Sequence, residues 1–234
     1  VTINHNSVRL DGDSYNLYSY GIHNNASSVS LGNEGTIIAN GYTSAGIYTH
    51  EEGAVTTLGD SASVNARADH DLPAYGVWAD NSGTNILGKG STITSSATGK
   101  SNSAALFAAN GGASQVGNGA QIKAETEIGF AYGVETDQGT NKLGENINIY
   151  SHSSKFSAYG MSTSGTQGST TVKDGLVIQT IADGGQAIGI FNGQEGITTI
   201  GNQASITATG LQVLGMGLIY LVARSRWGIT PPFR

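Results

Sequence analysis

Residues 74–97 read AYGVWADNSGTNILGKGSTITSSA, and residues 130–152 read FAYGVETDQGTNKLGENINIYSH. The second stretch is a diluted copy of the first, and further copies run through the chain. Three apolar positions define each copy. The first recurs as Ile22, Ile47, Val77, Leu106, Val134, Met161 and Ile190, at steps of 25, 30, 29, 28, 27 and 29 residues. Its predecessor is Gly in six copies (Gly21, Gly46, Gly76, Gly133, Gly160, Gly189) and Ala105 in the other. The second position follows nine to eleven residues later, as Leu31, Leu58, Leu87, Val116, Leu143, Val172 and Ile200. Gly comes next in all copies but one, where Lys173 stands. The third lies six residues after the second every time: Ile37, Val64, Ile93, Ile122, Ile149, Ile178 and Ile206. A fixed six-residue step marks a tight corner, and the variable steps mark loops that tolerate insertion.

Around the third position the pattern alternates. Ala62, Val64 and Ala66 share one parity, as do Ala120, Ile122 and Ala124, while Ser63, Asn65 and Arg67 share the other. A period of two describes a strand with one buried and one wet face. One apolar residue flanked by Ala fits a narrow interior, not the wide core of a sandwich. Three short strands per unit of about 28 residues, stacked repeatedly, predict an all-β fold: a right-handed parallel β-helix, or solenoid, of about seven three-strand coils. Stacked at about 4.8 Å per coil, seven coils make a rod of roughly 35 Å. Other repeats fit less well. A propeller blade needs about 40 residues, and calcium-binding nonapeptide repeats need a GGxGxD motif that is not found. A hexapeptide helix needs a strict period of six, which occurs here once per unit.

Composition agrees. Of 234 residues, 35 are Gly and 3 are Pro, and 12% are charged. Regularly placed Ile, Val and Leu distinguish the chain from a disordered Gly/Ser segment. The net charge is −6, and before residue 211 eight Lys and Arg face seventeen acids. Such a body lacks the clustered cations that nucleic acid requires, so no nucleic-acid partner is expected. There is no cysteine, hence no disulfide or thiolate metal site, which is compatible with export through a narrow pore. Val1 and the lack of a signal peptide suggest an internal fragment or a processed product. The apolar run 214–223 is too short to span a bilayer, so no membrane insertion by this fragment is expected.

The units at 74–97 and at 187–210, AIGIFNGQEGITTIGNQASITATG, resemble passenger-domain repeats of bacterial autotransporters, the type V secretion pathway of Gram-negative bacteria. The likeness covers roughly residues 19–210 and rests on a G-[IVL] pair, a TxLG turn and an SITA-like strand. It implies a stalk displayed outside the outer membrane, anchored through a C-terminal barrel missing here, and often an adhesin. The expected organisation is an N-terminal cap or partial coil over 1–18 and repeats over 19–210. Residues 211–234 are expected to start an eighth coil at Gly217-Leu218 and to end in a non-repeat tail that reads as foreign, frame-shifted or disordered, with a polar cap as the alternative.

The expected function is non-catalytic adhesion, self-association between rods, or service as a stalk. A polysaccharide lyase or hydrolase is the alternative. Such enzymes need converging carboxylates, and the candidates Asp11, Asp13, Glu51, Glu52, Asp69, Asp71, Asp80, Glu135 and Asp137 read mostly as solvated turn acids. His5, His23, His50, His70 and His152 lack metal-ligand spacing, so neither metal nor cofactor is expected. The residue after the first apolar position has outward parity: His23, Tyr48, Trp78, Phe107, Glu135, Ser162 and Phe191. Stacking would align the rings of His23, Tyr48, Trp78 and Phe107 into an exposed stripe beside an outward column of Gly. With Phe191, these rings are the candidate binding residues. Flat aromatic surfaces suit sugar rings or an apolar partner, so the expected partner is a host glycan, a surface protein or a second rod. A loop over the stripe, or simple protection of strand edges, is the competing reading. Tyr20, Tyr75, Tyr132 and Tyr159 have inward parity and predict an internal stack. The pairs Thr56-Thr57, Thr170-Thr171 and Thr198-Thr199 occur in too few units for an ice-binding face.

Overall fold

The computed structural model describes residues 2–3 and 9–217. These form strands and turns without a helix. Neighbouring strands pair in parallel, each with the equivalent strand of the coil above or below, so the chain winds as a β-solenoid of about seven turns. The three apolar positions set the register. Ile22, Ile47, Val77, Leu106, Val134, Met161 and Ile190 pair in succession. Leu31 through Ile200 do the same. So do Ile37 through Ile206.

The three columns form one continuous apolar cluster in the interior. Ile37, Val64 and Ile93 are fully buried, while Ile206, in the last coil, is partly covered. Burying a side chain of this size contributes about 1.5–3 kcal/mol. One coil cannot do so alone, because its side chains need a neighbour above and below. The three strands of a coil make two sheets rather than three. Second strands form an eight-stranded sheet, and first and third strands share a twelve-stranded one. The reason is continuity: Thr36–His50 and Val177–Asn192 each run from a third strand through the bend into the next first strand.

The six-residue corner has a fixed backbone cause. Its third residue is left-handed in all seven coils, with φ of 65°, 74° and 79° at Gly90, Gly119 and Gly175 and of 59°, 59°, 55° and 59° at Glu34, Ser61, Asn146 and Gln203. The first six of these N–H groups donate to a carbonyl one coil further on, from Glu34 to Asp60 through Gly175 to Asn202. Asp60, Asn118 and Asp174 add side-chain oxygens that accept the backbone N–H of Lys89, Glu145 and Asn202.

The ladders reach into both ends. Thr2 and Ile3 pair with Ser30 and Leu31, and Arg9 to Ser14 pair with Thr36 to Gly41, so this part continues the coil pattern. At the other end Met216 stands opposite Ile190 and Gly217 opposite Phe191. Leu218 and the tail from 221 lie outside the described residues, as do His5 and the side chains of Asp11 and Asp13.

Candidate functional site on the outer face

The strand 74–80 shows how the outer face is made. Alternation slips at its centre: Gly76 and Val77 are both buried, while Tyr75 and Trp78 on either side are half-buried. Two expectations are thereby corrected. The Gly column faces inward, because a Cβ on Gly133 would stand 2.2 Å from Ile149 Cγ2, and one on Gly46 2.4 Å from Val64 Cγ1. A very small residue, Gly in six coils and the fully buried Ala105 in the other, lets the first strand approach the third-position column this closely. The Tyr two residues before the anchor therefore faces out, on the same side as the ring one residue after it.

Two columns of rings interleave as a result. His23, Tyr48, Trp78 and Phe107 stand on successive coils, with centroids 5.4, 4.2 and 5.9 Å apart. Tyr20 fills in beside His23 at 4.8 Å and Tyr48 at 5.6 Å. Tyr75 does so beside Trp78 at 4.7 Å and Phe107 at 5.4 Å. His50 completes the upper end, 4.6 Å from Tyr48. The ladder spans four coils. Phe191 does not join it: Glu135 and Ser162 occupy the two coils between, and its ring meets Tyr159 edge-on at 6.0 Å. Tyr132 and Tyr159, 4.9 Å apart, belong to this second, smaller group. The indole Nε1 of Trp78 is buried and has no hydrogen-bond partner among the described residues.

Polar groups punctuate the rings. Glu135 is half-buried beneath Phe107 in register. Burial, helped by the charge of Asp137, pushes its carboxyl up to about 7. Burial also pushes the Tyr75 hydroxyl up to about 12, with Glu135 adding to the shift. The same two causes raise Tyr132. Tyr48 is pushed up to about 12 by burial and then by Asp80, to which its hydroxyl donates at 3.4 Å. Burial and then the neighbouring His50 lower His23.

The acids are less uniform than a set of solvated turns. Asp80 is buried and accepts from the Asn81 N–H and the Asn110 side chain. Asp71 accepts the Lys100 N–H of the next coil. Asp69 pairs with Arg67 at 2.8 Å and Glu51 with His50 at 3.5 Å, both at the surface. Thr56 and Thr170 point inward, where they join buried chains of hydrogen bonds with Thr49, Asn85, Thr136 and Thr163. Of each Thr pair only one member is on the outside. A separate open hollow of about 350 Å³ lies on the outer face of the third strands, around Thr94, Lys123, Tyr150 and Gln179. Among the described residues no three His, Cys, Asp or Glu converge as a metal cage, and no helix is long and apolar enough to cross a membrane.

Strict alternation assigns the Tyr side chains to the interior. The signal was present as two adjacent inward residues, a Gly and an aliphatic, in almost every copy. Strict alternation cannot accommodate such a pair. His50 and Asp80 were also legible only as turn residues, because register and not sequence distance brings them to the rings.

No protein-family model, curated protein or solved structure matches this chain.

Proposed function

We propose that the solenoid is a non-catalytic rod displayed at a bacterial cell surface, and that it binds through the aromatic ladder. The observation that carries this is the ladder itself: Tyr20, Tyr48, Tyr75, Trp78, Phe107 and an imidazole pair on one face, held by backbone that spans four coils. A stiff scaffold orders these side chains before binding, so little further entropy is lost on contact. Half-exposed Tyr, Trp and Phe rings offer flat apolar area, with polar edges from the Tyr hydroxyls, which fits the faces of a glycan or of a surface protein. The likeness of the repeats to autotransporter passengers supports export by that route. Trp78→Ala together with Phe107→Ala should weaken glycan or cell binding at least tenfold with β-sheet circular dichroism intact. Undiminished binding would sink the ladder's role. Antibodies to the rod should label intact cells; labelling only after lysis would remove the surface reading.

One feature favours a second reading. Glu135, with its raised carboxyl, is two residues from the exposed Asp137 on one strand, and unequal carboxyl environments suit glycoside hydrolysis. Reducing ends released from a polysaccharide panel, and lost in Glu135→Gln, would establish it. Silence across the panel would discard it.

A further inference from the structure

At the upper end of the ladder the Nε2 atoms of His23 and His50 face each other at 2.8 Å. The two residues are on adjacent coils, not directly opposed: His23 pairs with Tyr48 and His50 with Asn25. Their rings lie 17° from parallel with centroids 5.0 Å apart, and Tyr20 and Tyr48 pack against them. Glu51 Oε1 is 3.5 Å from Nδ1 of His50, the nitrogen away from His23. With its proton on Nδ1, toward this carboxylate, His50 directs its Nε2 lone pair at the partner ring. This is the outer-shell arrangement that orients metal-bound histidines. His23 is exposed and His50 is about 15% exposed, so the pair is open to solvent from one side.

We propose that His23 and His50 form a two-histidine site for a borderline divalent transition ion, Cu(II), Ni(II) or Zn(II), that ties the first coil to the second. Two imidazole nitrogens bound side by side to one such ion, at about 2.0–2.1 Å each, stand roughly 2.9–3.4 Å apart. The observed separation is close to that range, and both rings must turn so that their lone pairs converge on the ion. The ion takes the place of the proton between the two Nε2 atoms, that proton moves to Nδ1 of His23 so that both ligands are neutral imidazoles, and water fills the ion's remaining positions. Imidazole donors select these ions over Mg(II) and Ca(II), and Cu(II) should bind tightest. This inference is independent of what the ladder binds.

The test uses the untagged full chain. Cu(II) titration should show one equivalent bound and quench Trp78, whose ring is 4.2 Å from that of Tyr48. The melting temperature should rise with the ion. His23→Gln and His50→Gln should each weaken binding at least tenfold, whereas His152→Gln should not. His23 is exposed, so its replacement leaves folding intact, which circular dichroism checks. Mg(II) should give no response. Failure of the wild-type chain to bind, or binding undiminished in His23→Gln or in His50→Gln, would overturn the proposal.

Discussion

The inner and outer columns of this rod obey different rules. Inside, the third position is Ile in six coils and Val in one, and each member stacks on its equivalent. Outside, the position after the first anchor reads His, Tyr, Trp, Phe, Glu, Ser and Phe. Both columns share the same backbone spacing. The inner one must fill a narrow space of constant width, so one shape repeats. The outer one meets solvent, so each coil is free to differ. Constancy specifies the fold, and variation is where function can be written.

That contrast is breakable. The largest effect should come from widening the inner column. Gly133→Val places a Cβ 2.2 Å from Ile149 Cγ2 and 2.6 Å from the Gly160 carbonyl oxygen. It should cost about 3 kcal/mol or more in urea unfolding. Next is emptying it: Ile122→Ala should cost about 2–5 kcal/mol. Trp78→Ala on the outer face should cost less than either. A larger loss for Trp78→Ala would mean that the outer column is also core.

Glu135 makes the stability of the outer face depend on pH. Its carboxyl is raised to about 7 from a usual 4.5, so the fold prefers the protonated form. Its favourable contribution is present below about pH 4.5 and is lost as pH rises through about 7. Glu135→Gln should therefore melt near the wild type at pH 5 and above it at pH 8. A constant difference across that range would show that the carboxyl is not buried as described. The smallest effect belongs to the corner. Ser61→Gly relieves a side chain at φ 59° and should stabilise by about 1 kcal/mol, read as a small rise in melting temperature.

The coil was legible because burial repeats. Val77, Leu87 and Ile93 are each apolar at a constant offset from their equivalents, and parallel register places equivalents in contact. The outer face was half legible. His23, Tyr48, Trp78 and Phe107 do align as expected. Tyr20 and Tyr75 did not read correctly, because the inward Gly breaks the alternation from which their direction was inferred. Phe191 shares the sequence position of Trp78 and Phe107 but not their company, since Glu135 and Ser162 interrupt the column.

By itself the sequence determined the winding: which residues stack, where the corner falls and how many coils form. These depend on local spacing and apolar identity, which a linear chain records directly. Only the tertiary structure decided that Gly faces in, that Tyr faces out, and that His23 meets His50 and Asp80 meets Tyr48. Those contacts join different coils diagonally, and their partners depend on side-chain lean and on a slip of one residue in the pleat, neither of which has a fixed offset along the chain.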